Sequence, residues 1–352
     1  MTNKLMRNLF FALAFIAGFA AFTNNAVAGE CKSSVIDKFK CEAPRFLKAG
    51  DKVALLSPAY FTSMDNVEKT VEVLRSWGLV PVVAPNVGKE YLGRYAGTVE
   101  ERLSDLEWAL NDPEIKAIIC NRGGYGALPL VNPRLLDEIK ANPKWIVGFS
   151  EITSLHGAWQ NAGVMSIHGT MSSFLAKGGT DLSSTLMRDM LMGTIPSYVL
   201  PAHSQNIQGQ AQGVLIGGNI TTFAAAVGSL ADATKNDGFI LFIEEVGETM
   251  RNIDRQFNLL MNNGLLGRCK GIILGEFTEC GDEFTLESVE AMLRQYLVRH
   301  NIPMVCGFPG GHDDVNLPLI MGADVKLDVR ADGATIDFSL KGKQKVQLPI
   351  NQ

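Results

Sequence analysis

The sequence has few histidines, no metal-binding cysteine pattern and no excess of positive charge, and each deficit excludes a class of protein. Five histidines occur among 352 residues, and the absence of CxxC or paired Cys/His spacing predicts no metal site. Lys and Arg number 32 against 37 Asp and Glu, so a net charge of −5 offers no electrostatic footprint for nucleic acid. No apolar run reaches the ~20 residues that a membrane-spanning helix needs. We therefore expect a soluble globular protein without internal repeats or low-complexity segments.

Residues 1–28 predict a secretory signal peptide. Lys4 and Arg7 give a positive start, residues 9–22 are apolar and uncharged, and small residues at 26–28 precede Gly29. A membrane anchor is the alternative, but the apolar run is too short to span a bilayer. Cleavage removes two positive charges and no negative ones, which leaves 30 Lys and Arg against 37 Asp and Glu, a net charge of −7. We expect export to the periplasm and no membrane association after cleavage.

All six cysteines follow the predicted signal peptide, in a compartment where disulfides form. Cys31 and Cys41 lie together in a polar N-terminal extension, residues 29–46, and whether they form a local disulfide is left open. Cys269 and Cys280 flank a predicted strand, which would hold them roughly 35 Å apart. The sequence therefore excludes a disulfide between Cys269 and Cys280.

Strand-like and helix-like segments alternate beyond residue 46. Residues 47–175 contain continuous apolar strands separated by amphipathic helices, a pattern typical of a doubly wound parallel sheet. Residues 176–210 are rich in Gly, Ser, Thr, Pro and Gln and predict a crossing between domains. Residues 211–350 contain further strands and helices and end in β-rich segments. We predict an α/β protein with a Rossmann-like, parallel-sheet N-terminal domain and a second, β-rich α/β C-terminal domain, since about 320 residues exceed what one core usually organises.

Ser150 stands where a buried strand turns into a helix, in KWIVGFSEITSLHGAW. Gly148, two residues earlier, lets the backbone turn sharply and present the hydroxyl at the end of a sheet, as in a nucleophile elbow. The match is partial because Ile152 replaces the usual second glycine. A helix N-cap is the alternative role for Ser150, and the turn by itself does not decide between the two.

A serine nucleophile needs a general base, and His312 is the leading candidate. It lies in the glycine-rich segment GFPGGHDDVN just after a predicted strand, a type of loop that often carries functional groups. The other histidines fit different roles: His156 on the helix after Ser150, His168 at a strand end, His203 in the crossing segment, and His300 at a helix C-terminus.

Glu244 ends the apolar segment FILFIEE, where a buried carboxylate is costly unless it is paired. Orienting a histidine and stabilising its protonated form would supply that partner. Glu245 is the competing acid, and an ion pair with Arg255 is the structural alternative. The chain order of serine, acid and histidine recurs in several unrelated hydrolases.

The segment NRGGYGALPL follows a predicted strand directly, and Gly123, Gly124 and Gly126 leave backbone N–H groups free to bind an anion. A phosphate loop is one interpretation, but the lysine of a P-loop and the spacing of a dinucleotide fingerprint are missing. The favoured interpretation is half of an oxyanion hole, in which the backbone N–H of Glu151 is the second donor.

Long segments in one order resemble the LD-carboxypeptidase family of serine peptidases, which also contains the microcin-C immunity peptidases. The resemblance extends from about Leu47 to Leu348 through GDKVALLSPA, AGTVEERLSDLEWALNDPEIKAIICNRGGYGA, KWIVGFSEITSLH, GVLIGGN, LFIEEVGE, NIDR, GIILGEF and the GGH loop. The resemblance implies that Ser150 is the nucleophile, Glu244 the acid and His312 the base. It also implies that the backbone amides of Gly124 and Glu151 form the oxyanion hole.

The resemblance also implies a site between two domains, a homodimer, and catalysis without metal or cofactor. The implied reaction removes the terminal D-alanine from murein tetrapeptides at the L,D bond. Arg251 stands where a tyrosine is common in the family, and we interpret Arg122 and Arg251 as candidates for binding the substrate carboxylate. The alternative is a structural role, in which both arginines form ion pairs with acids such as Glu245 or Asp254.

Two other functions remain open on the sequence. An immunity-type peptidase would cleave a toxic peptidyl conjugate with the same residues, and the sequence does not specify which peptide is cut. A non-catalytic periplasmic binding protein would use a two-domain cleft, but it has no need for a serine, an acid and a histidine together.

Overall fold

The first of two sheets contains the strand that leads to Ser150. In this computed structural model, which describes residues 40–281 and 286–349, six strands form it in the order β11-β5-β4-β3-β1-β2. The strands are β1 (Lys52–Leu56), β2 (Val80–Val83), β3 (Ile115–Cys120), β4 (Trp145–Gly148), β5 (Ser166–His168) and β11 (Leu319–Met321). The first five are parallel, and β11 pairs antiparallel with β5. Because parallel strands end at one edge, residues 121–124 and 149–151 share that edge.

The second sheet contains the strand that ends in Glu244. Eight strands form it in the order β10-β9-β8-β7-β12-β13-β6-β14. They are β6 (Ile195–Pro201), β7 (Gly209–Asn219), β8 (Phe239–Val246), β9 (Cys269–Thr278), β10 (Met304–Val305), β12 (Asp324–Arg330), β13 (Gly333–Phe338) and β14 (Lys343–Gln347). Strands β7 to β10 are parallel, and β12 runs antiparallel to β7 and β13. The two sheets confirm the predicted α/β fold class.

Helices pack against both sheets. They are α1 (Met64–Ser76), α2 (Val99–Asn111), α3 (Pro133–Ala141), α4 (Thr153–Asn161), α5 (Ser172–Leu175), α6 (Leu182–Leu191), α7 (Ile220–Ala225), α8 (Met250–Asn262), α9 (Leu265–Arg268) and α10 (Leu286–Leu297). Thr98 and Glu101 form a reciprocal capping box at the start of α2, as expected for a T-x-x-E sequence. Across the described ranges, none of the helices is long and apolar enough to cross a bilayer.

Helix α4 joins the Ser150 turn to the second sheet. The side chain of Gln160 donates to the carbonyl of Leu215 at 2.9 Å, and the amide of Asn219 donates to Thr153 Oγ1 at 3.0 Å. Gly157 is in such close contact that an added Cβ would lie 2.0 Å from the carbonyl oxygen of Ala231. These contacts hold the turn after β4 against the end of β7, next to the strand that carries Glu244.

The segment predicted as a loose crossing, 176–210, contains regular structure. Helix α6 begins at an Asp181 cap and buries Met187 and Met190, and β6 joins the second sheet beside β13.

The cysteines at 41, 120, 269, 280 and 306 are free and buried. Cys41 packs against Gly322, and burial raises the pKa of its thiol to about 12. Cys31 lies outside the described residues, so its pairing with Cys41 stays open. Cys269 and Cys280 stand at opposite ends of β9, which confirms that they do not pair.

Candidate active site

Ser150 adopts a strained backbone conformation immediately after β4. Its φ is +62°, in the left-handed region that a non-glycine residue enters only when its surroundings fix it there. An added Cβ at Gly148 would lie 2.8 Å from Ile152 Cγ1, and one at Gly123 would lie 3.1 Å from Ser150 Oγ. Both glycines are therefore required by close packing, which is the geometry of a nucleophile elbow.

The alternative role of Ser150 as a helix cap is not what the structure contains. Helix α4 begins after Ile152 without a side-chain cap, and Ser150 lies in the 3-10 turn Ser150–Ile152 before it. A capping serine would adopt an extended backbone and accept a hydrogen bond from the first turn, whereas Ser150 does neither. The Ser150 hydroxyl has no hydrogen-bond partner in the part of the chain that the structure describes and is available to a substrate.

Glu244 and His312 form a close pair between the two elements that carry them. Oε2 of Glu244 lies 2.7 Å from Nδ1 of His312, and the glutamate is fully buried while the imidazole side chain is 17% exposed. With Nδ1 held by the carboxylate, Nε2 is the ring nitrogen that is left to exchange a proton with a nucleophile. This is the tautomer that a general base in a serine hydrolase needs.

Burial and the neighbouring carboxylates shift the pKa of His312 in opposite directions. Burial lowers the pKa of His312, but the hydrogen bond to Glu244 and the charges of Glu244, Glu245 and Glu276 raise it above the ordinary value of 6.5. Burial and the charge of Glu245 raise the pKa of Glu244, and His312 opposes that rise. Each partner thus favours the charged form of the other.

Glu245, the competing acid, has a structural role. Its carboxylate accepts a hydrogen bond from the side chain of Asn219 at 2.7 Å and another from the amide of Thr221 at 3.0 Å. It therefore fixes the end of β7 and the start of α7. Arg255 binds Asn252 and not Glu244, so the predicted alternative of a Glu244–Arg255 ion pair is wrong.

Phe149 connects the Ser150 turn to the histidine. Its ring packs edge-to-face on the imidazole of His312 with 4.9 Å between ring centroids. Within residues 40–281 and 286–349, no hydrogen bond joins Ser150 Oγ to His312. Catalytic hydrogen bonds are often long before substrate binds and shorten in the reacting complex.

Two backbone amides beside Ser150 are available to an anion. The N–H groups of Gly124 and Glu151 have no acceptor among the described residues. Gly124 has a φ of +107°, and an added Cβ would lie 2.3 Å from the ring of Tyr60. Only glycine fits this position, and the residue before it, Gly123, lies directly against Ser150, so the Gly124 amide is next to the elbow in the chain, as half of an oxyanion hole requires.

The side chain of Glu151 explains why the glycine-rich loop is not a phosphate loop. Its buried carboxylate accepts hydrogen bonds from the amides of Gly126 and Ala127, both at 2.8 Å. Burial raises the pKa of Glu151, and these hydrogen bonds oppose the rise. Amides that would bind a phosphate are occupied, and the loop is tied to the elbow. The sequence predicts a role only for the backbone of Glu151 and not for this carboxylate.

His168 and Asn316 position the histidine loop through a link that the sequence does not predict. Nε2 of His168 donates to Asn316 Oδ1 at 3.1 Å, and the same oxygen accepts the amide of Gly311 at 3.1 Å. Burial, with the charges of His156 and His312, lowers the pKa of His168 to about 3, so it stays neutral. The only signals in the sequence are the apolar SIH segment and a PxxxxxxN loop.

The remaining histidines do not reach the pair. His156 is buried between Ser166 Oγ and the carbonyl of Gly148, each at 2.9 Å, and braces the elbow from behind. Burial lowers its pKa to about 4. His300 is exposed at the end of a 3-10 turn, Val298–His300.

His203, Glu290 and Cys306 form a cluster whose donor atoms lie within 4.8 Å of one another. However, Nδ1 of His203 accepts the amide of Gln205 at 3.3 Å, which places the ring proton on Nε2, 3.4 Å from Glu290. A histidine that binds metal through Nε2 instead donates from Nδ1. The local hydrogen bonds therefore favour a His203–Glu290 contact over metal binding.

Arg122 and Arg251 are both exposed, and neither forms an ion pair among the described residues. Arg122 makes one long hydrogen bond of 3.4 Å to the carbonyl of Phe61. Asp254 instead accepts from Tyr296 at 2.6 Å. The alternative of structural ion pairs with Glu245 or Asp254 is therefore wrong, and both guanidinium groups are available to a ligand.

A strained serine beside free amides, with a buried histidine–glutamate pair close by, defines a serine hydrolase on an α/β fold. The chain belongs to the LD-carboxypeptidase family: the model of its N-terminal domain matches residues 53–169 and that of its C-terminal domain matches residues 212–327. The protein is a serine-type carboxypeptidase and has peptidase function.

The chain is similar both to a murein tetrapeptide carboxypeptidase and to a microcin self-immunity protein. The chain is 31% identical to the murein tetrapeptide carboxypeptidase of Pseudomonas aeruginosa, over 75% of this chain and 89% of that one. It is 27% identical to the microcin C7 self-immunity protein of Escherichia coli, over 83% of this chain and 94% of that one. The crystal structure of a muramoyltetrapeptide carboxypeptidase from Oxalobacter formigenes has a TM-score of 0.73 and 25% identity, covering 82% of this chain and 98% of that one.

Proposed function

We propose that this carboxypeptidase removes the terminal D-alanine from murein tetrapeptides at the L,D bond, in the trimming or recycling of cell-wall peptides. The observation that carries the proposal is the pairing of Glu244 with His312 at 2.7 Å beside a serine whose φ is +62°. The relationship to the tetrapeptide carboxypeptidase of Pseudomonas aeruginosa supports the choice of substrate.

In the proposed reaction, Ser150 Oγ attacks the scissile carbonyl while Nε2 of His312 takes the hydroxyl proton. The N–H groups of Gly124 and Glu151 bind the oxyanion that forms. The imidazolium, stabilised by Glu244, then protonates the leaving amine of D-alanine as the C–N bond breaks. Water repeats the sequence on the acyl-enzyme, with His312 as base, and releases the shortened peptide with Ser150 regenerated.

A carboxypeptidase must also recognise the free carboxylate at the end of its substrate. Arg122 and Arg251 are our candidates because both are exposed and lack acidic partners among the described residues. A pentapeptide would move its carboxylate away from these cations, and its additional residue would bury them without a partner, which costs about 1–3 kcal/mol.

Mass spectrometry of purified enzyme with the tetrapeptide and the pentapeptide tests this function. We expect a tripeptide and free D-alanine from the tetrapeptide and a kcat/KM at least about 10-fold lower on the pentapeptide. Arg251→Ala should reduce the ratio of kcat/KM on the tetrapeptide to kcat/KM on the pentapeptide. Arg299→Ala is the matched control, because Arg299 is also exposed. Equal rates on both peptides would contradict recognition of the terminal carboxylate.

The second candidate function is cleavage of a toxic peptidyl conjugate. The similarity to the microcin C7 self-immunity protein favours it, and one structure of that protein contains aspartyl sulfamoyl adenosine. Incubation with this compound should leave it intact if the murein function is right. Hydrolysis of the conjugate without hydrolysis of the tetrapeptide would select the immunity function, and binding of the tetrapeptide without turnover would select a non-catalytic binding protein.

We further propose that the protein is exported to the periplasm, is cleaved after Ala28 and acts as a homodimer. The charged start and the apolar segment of the first 28 residues support export. N-terminal sequencing of protein from a periplasmic extract should give Gly29, whereas Met1 on a cytoplasmic protein would contradict export. Light scattering of the purified enzyme tests the dimer, and a monomeric mass would contradict it.

A further inference from the structure

Glu276 is a second carboxylate packed against the loop that carries His312. Its amide donates to the carbonyl of Gly310 at 3.0 Å, and its Oε2 accepts the amide of Asp313 at 3.3 Å. An added Cβ at Gly311 would lie 3.2 Å from both Glu244 Oε2 and Glu276 Cβ. The backbone just before His312 is therefore packed between the two glutamates, and hydrogen bonds to Glu276 bracket His312 on both sides in the sequence.

A cavity of about 430 Å³ adjoins this carboxylate. Glu276, Asp313 and Asp314 line it together with apolar residues that include Pro309 and Val315. The cavity gives Glu276 a route for proton exchange with solvent although most of its side chain is covered. Glu276 is therefore able to change its charge without opening the fold.

We propose that Glu276 is a positioning residue for His312: its ionised carboxylate holds the histidine loop through the Asp313 amide and stabilises the imidazolium form. The proposal rests on the proposed function only in that His312 is the general base there. Glu244 orients Nδ1 by direct contact, whereas Glu276 acts through the backbone and through its charge. Glu244 and Glu276 would thus both stabilise the protonated imidazole of His312.

The charges around Glu276 make its ionisation sensitive near neutral pH. Burial, the charge of Asp313 and the charge of Glu244 raise the pKa of Glu276 to about 7, while the amide of Asp313 and the charge of His312 lower it. The charge of Glu276 in turn raises the pKa of His312. A proton on His312 favours ionised Glu276, so the two groups titrate as a coupled pair.

Glu276→Gln separates charge from shape, because the amide side chain retains an oxygen that can accept the Asp313 N–H. We expect kcat to fall about 3- to 10-fold, KM to change less than 2-fold, and the acidic limb of the kcat/KM profile to move to lower pH. Glu276→Asp retains the charge and should keep the acidic limb near its wild-type position. Asp314→Asn is the matched control, since Asp314 is exposed on the same loop and should leave all three quantities unchanged.

Titration of His312 by NMR tests the proposal without any substrate. In protein labelled at histidine, His156 and His168 have pKa values of about 4 and 3 and do not titrate near neutral pH. We expect the pKa of His312 to be lower in Glu276→Gln than in wild type and unchanged in Asp314→Asn. An unchanged His312 titration in Glu276→Gln would overturn the proposal, whereas a shifted titration in an enzyme that ignores the tetrapeptide would overturn only the proposed function.

Discussion

Glu244 Oε2 lies 2.7 Å from Nδ1 of His312, although 68 residues separate them in the sequence. Strand β8 delivers the carboxylate and the loop after β10 delivers the imidazole, and both of these strands belong to the second sheet. Ser150 comes from the first sheet, so its approach to His312 depends on how helix α4 packs against the end of β7.

Glu244→Gln should lower kcat on the order of 100-fold or more and shift the pH profile. In wild type, the base is lost as pH falls through the pKa of His312, which lies above 6.5, so the acidic limb should lie above that value. Removing the Glu244 charge lowers that pKa, and the limb should move to lower pH. Measuring kcat/KM from pH 5 to 9 checks the direction. A limb that stays in place would mean that Glu244 does not control the base.

Glu151→Ala should impair both catalysis and stability because the amides of Gly126 and Ala127 lose their acceptor. Each buried N–H left unpaired costs about 1–3 kcal/mol, and displacement of the loop that carries Gly124 lowers kcat by up to about 100-fold. Glu151→Gln retains an acceptor oxygen and should be affected less. Thermal unfolding together with kcat on the two variants checks this, and a wild-type kcat in Glu151→Ala would disprove a role for the side chain.

Gly157→Ala should destabilise the contact between helix α4 and the second sheet by about 1–3 kcal/mol, since its Cβ would lie 2.0 Å from the backbone of Ala231. Gly267→Ala is the control, because an added Cβ there would have no neighbour within 4 Å. Chemical unfolding of both variants measures the difference in the free energy of unfolding. Equal stabilities would show that this contact is not as tight as described.

The sequence predicts the strand and helix order well because apolar runs and amphipathic helices are local signals. It also predicts Ser150, Glu244 and His312 as candidate site residues, since each stands at the end of a strand or in a glycine-rich loop, and the catalytic role of the three stays a prediction. It does not predict the hydrogen bonds of the Glu151 carboxylate or the link from His168 through Asn316 to Gly311. Those contacts depend on which strand ends become neighbours in the fold, and no local pattern reports that.

The crossing segment shows the same limit. Composition indicates a loop over 176–210, but tertiary packing makes a helix of residues 182–191 by burying Met187 and Met190. The sequence predicts that Arg122 and Arg251 bind either the substrate carboxylate or nearby acids. In the structure neither arginine pairs with Glu245 or Asp254, which leaves the substrate carboxylate as the proposed ligand.

The central claim is that Ser150 is the nucleophile, and Ser150→Ala tests it most directly. Turnover of the tetrapeptide by wild type and Ser150→Ala is followed by mass spectrometry, with circular dichroism to verify folding and calorimetry to measure peptide binding. We predict loss of at least about 1,000-fold in kcat with folding and peptide binding retained. Turnover within about 10-fold of wild type would contradict the account and remove Ser150 from the mechanism.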